Sequence, residues 1–201
     1  MVDNSIMEKD EINVQNIIDA AKKLLQQYGL KKTTMEDIAR AAGKGKSTLY
    51  YYFKSKEEIF DEVIKQEMDD FFHSVKNAVD LQTDPVEKLK TYLVVKINTL
   101  KDKANLYRFT IETHHVEISN QFTVLRDRYD HQETELIASI LKLGKQQGVL
   151  KFSDEMEVEM VADLLLSCER GIEMEILTKN KFGILADKAD LLVGILVKGL
   201  S

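Results

Sequence analysis

The chain has 201 residues, 44% hydrophobic and 31% charged, with a net charge of −6, one proline, nine glycines, one cysteine and no tryptophan. That length can bury a real core, and so few helix breakers among abundant Lys, Glu, Leu and Ile point to helices throughout. The lone Cys168 excludes an intramolecular disulfide framework and fits a reducing compartment.

The first helix is read from Val14, Ile17, Ile18, Ala21, Leu24, Leu25 and Tyr28, which recur at three- and four-residue steps up to a C-capping Gly29. Thr33 with Glu36, and Thr34 with Asp37, both stand in capping-box register before a short helix carrying Met35, Ile38, Ala39 and Ala42, which Gly43 breaks. A third helix holds "KSTLYYYF", because Leu49 and Phe53 lie one turn apart and need a core. Ser55 and Glu58 form another capping box, launching a long helix through Ile59, Phe60, Val63, Ile64 and Met68 to about Val79. Asp84 and Pro85 open the next, which runs to about Asp102. A less regular stretch follows to Asn120, fraying near His114 and His115. A helix from Phe122 to Gln147, another capped by Ser153, and a last one from Asp187 to Leu200 complete an all-helical chain without internal repeats.

The acidic start "MVDNSIMEKDEI" lacks a secretory pattern, and the longest apolar run, Leu191 to Val197, is far short of the ~20 residues of a membrane span, so a cytoplasmic protein is expected. Charge is unevenly spread. Between Lys31 and Lys56 seven basic residues face only Glu36 and Asp37, a local balance of +5 that leaves −11 on the rest. Since fields act within a Debye length of ~8–10 Å, such a patch attracts phosphate despite the acidic whole.

Inside that patch, "AGKGKSTLYYYF" contains Gly45-Lys46-Ser47-Thr48, half of a nucleotide-cradling loop. The other half is missing: Arg40 stands where a further glycine is required, and a helix precedes it in place of a strand. Two short helices joined by a glycine turn form instead a helix-turn-helix unit. At ~100° per residue, Leu49 and Phe53 define the inward side of the third helix, and Ser47, Thr48 and Tyr51 fall on the opposite side, flanked by Tyr50 and Tyr52. Lys44 and Lys46 enter this face, and Lys54 and Lys56 leave it. Lysines and tyrosyl hydroxyls position a protein on phosphates, and short Ser47 and Thr48 let the helix approach base edges. Taken singly, each tyrosine could equally be half-buried packing and each lysine plain solvated surface.

The string "TTMEDIARAAGKGKSTLYYYFKSKEEIF", Thr33 to Phe60, resembles the DNA-binding signature of TetR/AcrR-type transcriptional regulators. The resemblance implies that Thr34 touches the DNA backbone, that Lys46, Ser47 and Thr48 approach bases, that Tyr50, Tyr51 and Tyr52 contact phosphates or base edges, and that Lys56 holds a phosphate. Two positions depart from the pattern. Lys44 replaces a small apolar residue and Gly45 a capping serine, which predicts a looser turn and an added contact from Lys44.

The remaining sequence is read as a C-terminal helical bundle, giving an N-terminal helix-turn-helix DNA-binding domain over 1–56 and an effector-binding and dimerisation domain over 57–201. Its last two helices are apolar on more than one face, through Met160, Val161, Leu164, Leu165, Leu166, Cys168, Ile172, Met174, Ile176 and Leu177 and through Leu191, Leu192, Val193, Ile195, Leu196 and Val197, which a second copy of the chain would cover. Tyr92, Tyr107, Phe122 and Tyr129 could line an effector cavity or be ordinary core, with Arg108, Glu112, His114 and Glu169 as polar groups to orient a ligand. Adjacent His114 and His115 point ~100° apart and suit no metal site. Cys168, among Leu164, Leu165 and Ile172, reads as a buried small hydrophobe. No cofactor, metal or catalytic set is expected. The reading is a homodimeric repressor on a palindromic double-stranded operator, released by a small-molecule effector. Its rivals are a helical-bundle enzyme with an incidental basic unit, and a co-regulator without operator binding.

Overall fold

The structure, a computed structural model, describes residues 3–102, 120–179 and 187–201. Among them are eight helices: α1 (Asp3–Lys32), α2 (Met35–Ala41), α3 (Lys46–Tyr52), α4 (Lys56–Asp80), α5 (Pro85–Asp102), α6 (Asn120–Gln146), α7 (Glu155–Lys179) and α8 (Ala189–Gly199). No strand occurs among the described residues. They group into two compact units, and the division falls inside α4, between Glu67 and Met68, and again at the start of α6, between Gln121 and Phe122.

In the first unit the buried hydrophobic residues include Ile17, Ile18, Ala21 and Leu25 of α1, Met35, Ile38 and Ala39 of α2, Leu49 of α3, and Ile59, Phe60, Val63 and Ile64 of α4. Phe53, just after α3, is buried with them. The helical course of α1 is interrupted at Gly29, where φ is 75°, a left-handed conformation that glycine adopts without a Cβ penalty. Of the two capping boxes available at the start of α2, Thr34 and Asp37 make theirs reciprocally, each backbone N–H donating to the other's side chain at 3.2 Å. Thr33 is buried instead, and its hydroxyl donates to the Gly29 carbonyl at 2.7 Å. Lys22 of α1 and the buried Glu67 of α4 form an ion pair within this unit.

The turn between α2 and α3 is closed, not loosened by Lys44. Gly43 has φ 64°, its N–H donates to Arg40 at 3.2 Å, and the Lys44 N–H donates to Ala39 at 2.9 Å. This is a Schellman ending, in which two backbone bonds satisfy the last carbonyls of α2. The residue following the left-handed glycine normally makes an apolar contact in this motif. Lys44 instead sends its ammonium to the Asn13 side chain on α1 at 2.6 Å.

The second unit is built on a core that includes Val75 and Val79 of α4, Leu89 and Tyr92 of α5, Ile137, Ile140 and Leu141 of α6, Val158, Ala162 and Leu166 of α7, and Val193 of α8. Asp84 caps α5 as the sequence predicts, accepting from Val86 at 2.8 Å and Glu87 at 3.0 Å. Asp154, and not Ser153, accepts from the first turn of α7, at 2.8 Å from the Glu157 N–H. No helix among the described residues is long and apolar enough to cross a membrane.

Candidate nucleic-acid interface

Helix α3 is short, seven residues, and is placed from behind by Leu49, which is fully buried, and by Phe53, whose N–H donates to Leu49 at 2.9 Å. With those two held inward, helical geometry sends the rest of the helix outward. Tyr51 is 75% exposed and Tyr50 45%. Ser47 and Lys46 are also exposed, and Thr48 is half-buried. Thr34, at the start of α2, is exposed too, and its hydroxyl donates to Asp37 at 2.6 Å. That hydrogen bond is the first cause holding the Asp37 carboxyl below its ordinary range.

Three expected members of this surface stand differently. The Tyr52 ring is half-buried and its hydroxyl donates to Asp10 of α1 at 2.6 Å while accepting from Asn13 at 3.2 Å. The bond to Asp10 is the main cause that pushes the Tyr52 hydroxyl above its ordinary pKa. Lys44, through Asn13, joins the same chain of polar contacts. The Lys56 ammonium donates to the carbonyls of Leu30 at 2.8 Å and Thr33 at 3.2 Å, so two of its three donors close the end of α1. Lys46, the first residue of α3, pairs with an exposed acid, Glu36 of α2. Its ammonium lies 5.9 Å from the Tyr50 ring centroid, within cation–π range.

In the second unit, the expected ligand groups are only partly brought together. Tyr107, Arg108, Glu112 and His114 lie outside the described residues, as does the side chain of Phe122. Tyr92 and Tyr129 are buried. Burial, and then a hydrogen bond with Asp69, pushes the Tyr129 hydroxyl well above its usual range. Tyr92 and Glu169 meet: the tyrosyl hydroxyl donates to Glu169 at 2.8 Å. They share this contact with a residue the sequence reading passed over. Lys96 of α5 is buried, with Glu133 of α6 at 3.0 Å and Glu169 and Glu173 of α7 at 3.2 and 2.9 Å. Burial by itself would lower the Lys96 pKa, but the surrounding carboxylates outweigh it and hold the ammonium well above its ordinary value. Burial raises the Glu169 carboxyl, opposed by Lys96 and the Tyr92 hydroxyl. A signal for this cluster was present: Lys96 falls on the apolar stripe of α5, four residues after Tyr92 and four before Leu100. Beside it, Leu93, Ile97, Leu100 and Ile172 enclose a void of about 10 Å³, room for no more than a water.

Cys168 is exposed, contrary to the core position its neighbours implied, because Ala162 and Leu166 supply the inward side of α7 at that level. No group of three or more His, Cys, Asp or Glu among the described residues is placed to hold a metal ion.

An all-helical chain with a buried-backed, outward-facing second helix after a glycine turn defines a helix-turn-helix protein of the DNA-binding class. Comparison with known proteins narrows the class. The family described as bacterial regulatory proteins, tetR family, matches residues 17–63. The HTH-type transcriptional repressor KstR2 of Rhodococcus jostii is 30% identical over 147 residues, 72% of this chain and 70% of that protein. A transcriptional regulator from Cytophaga hutchinsonii has a similar structure, with TM-score 0.77 and 26% identity over 92% of this chain and 96% of its own. The FadR regulator of Bacillus subtilis, solved in complex with stearoyl-CoA, shares the fold with TM-score 0.71 and 21% identity over 93% of this chain and 99% of its own. The chain belongs to the tetR family of bacterial regulatory proteins and is a DNA-binding transcriptional regulator, not an enzyme.

Proposed function

We propose that this regulator is a homodimeric repressor that places α3 of each subunit in the major groove of a palindromic operator and is released by a small-molecule effector bound in the C-terminal region. The observation that carries the reading is the outward row of Lys46, Ser47, Tyr50 and Tyr51 on a helix anchored by buried Leu49 and Phe53. Short hydroxyls facing base edges and flanking aromatic and cationic groups facing phosphates are what groove recognition needs. Thr34, Lys44, Tyr52 and Lys56 serve this surface from its edges, the last three chiefly by fixing α3 and the turn through their contacts to α1. In this reading residues 1–56 form the DNA-binding domain and 57–201 the effector and dimerisation domain. Two copies related by a twofold axis demand half-sites about 34–36 Å or more apart.

Dimerisation is supported by apolar side chains left exposed on α7 and α8: Met160 at 54%, Leu164 at 56%, Leu191 at 58% and Ile195 at 61%. Spaced four residues apart within each helix, they form stripes that a second copy would cover in a four-helix contact. The effector reading is supported by kinship: the related B. subtilis regulator was solved with stearoyl-CoA. Since α4 contributes to both units, an effector that favours one placement of its C-terminal half would alter the spacing of the two recognition helices.

Selection of bound duplexes from a random pool tests this directly. A palindrome is expected, and recovery of no preferred sequence would refute operator binding. Binding to the recovered operator should weaken steeply between about 50 and 200 mM salt, because several phosphate contacts release counterions; a flat response in a titration series would contradict the basic-patch argument.

A further inference from the structure

Glu36 and Lys46 stand side by side where α2 and α3 begin, and their side chains are 56% and 59% exposed. An exposed ion pair adds little to stability, so the fold does not account for it. An acid is also unfavourable on a surface that meets phosphate. Only two acids lie between Lys31 and Lys56, and the other, Asp37, is engaged by the Thr34 cap and by Arg40. Glu36 is therefore the one carboxylate of this basic segment with no capping duty.

We propose that Glu36 is a specificity-determining residue, forming with Lys46 a donor–acceptor pair that reads a G·C base pair in the major groove. Lys46 donates to guanine O6 or N7, and Glu36 accepts from the cytosine N4 amino group. The inference rests on the operator-binding reading above. A G·C pair shows two acceptors on guanine and an amino donor on cytosine, and an ammonium beside a carboxylate matches that order. Thymine in guanine's place keeps the order but offers one acceptor beside a methyl group, a poorer seat for the ammonium. Against A·T the same carboxylate meets the thymine O4 acceptor or methyl group when placed over the pyrimidine, and it is left unpaired in a desolvated groove. The pair is also held in place: the Tyr50 ring lies within cation–π range of the Lys46 ammonium. Their mutual hydrogen bond, the leading cause in both groups, lowers the Glu36 pKa and raises that of Lys46, so both remain ionised around neutrality.

The test uses the full chain and a random duplex pool, selected in parallel with wild type, Glu36→Ala and Lys46→Ala. Wild type is expected to enrich a palindrome with a fixed G·C position in each half-site. Glu36→Ala should enrich the same palindrome with that position relaxed, and Lys46→Ala should relax the same position while binding more weakly throughout. On defined duplexes, the wild-type preference for G·C over A·T at that position should be about tenfold or more and fall to about threefold or less in Glu36→Ala. Affinity of Glu36→Ala for unrelated DNA should rise, since a negative charge has gone, with the melting temperature unchanged. Identical position profiles for wild type and Glu36→Ala would overturn the inference while leaving operator binding intact. Failure of wild type to enrich any sequence would overturn the operator reading, and this inference with it.

Discussion

Tyr51 and Tyr52 are sequence neighbours whose rings meet edge to face, with centroids 4.9 Å apart, yet they are spent differently. Tyr51 faces outward, whereas the Tyr52 hydroxyl is tied to Asp10. Helical angles alone placed Tyr51 on the outward face and Tyr52 beside it, and what they could not show was that α1 supplies an acceptor on one side. Lys46→Ala and Tyr51→Ala should each weaken operator binding by about 1–3 kcal/mol, read by titration, with no matching fall in melting temperature. Lys96 offers the opposite case, a charge with a structural role. Lys96→Met leaves the half-buried Glu133, Glu169 and Glu173 around no cation and should cost up to about 3 kcal/mol in urea unfolding, less than for fully buried charges because the carboxylates keep some access to water. Glu169→Gln should cost far less. The folded state holds the Glu169 pKa above its ordinary 4.5, so it binds the proton more tightly than the unfolded chain does. That contribution to stability is present at low pH and fades as pH rises from about 4.5 through the folded pKa. The stability of Glu169→Gln relative to wild type should therefore improve from pH 4 towards neutrality. Lys96 acts at the other end: its pKa is raised on folding, so its contribution persists below about 10.5 and is lost above it.

Helix ends were more legible than helix surroundings, because caps depend on a few residues within one turn. Thr34–Asp37, Asp84–Pro85, Gly43 and Gly148 mark ends that the structure shows, whereas the expected C-cap Gly29 only interrupts α1, which runs on to Lys32. The choice between Thr33 and Thr34 was not local, since burial of Thr33 decided it. The end of α6 repeats the device seen after α2. Gly148 has φ 71°, its N–H donates to Lys145 at 3.1 Å, and Val149 donates to Gly144 at 2.9 Å. Chain reversal then folds Leu150 back over Gly144, where an added Cβ would lie 2.6 Å from the leucine Cδ1. Gly144→Ala favours the helix by propensity yet should destabilise the protein by about 1–3 kcal/mol through overpacking. Thermal unfolding checks the sign, and a gain in stability would mean that Leu150 yields freely.

At the scale of the molecule, the exposed stripes of α7 and α8 matter most. Leu164→Glu with Ile195→Glu should give a monomer by sedimentation and reduce operator affinity steeply, because one half-site alone makes half the contacts. A dimer that persists in this variant would place the proposed interface elsewhere, and a wild type that sediments as a monomer would refute it. The sequence by itself determined the helical class, the order of the elements and the inward side of α3, since periodicity and caps act over a few residues and are written in consecutive positions. Only tertiary structure decided which polar groups near α3 are presented and which are consumed, that Cys168 is exposed, and that Lys96 gathers three carboxylates from two other helices. Those outcomes join residues tens of positions apart, and a linear pattern carries no record of which distant helix a side chain will meet.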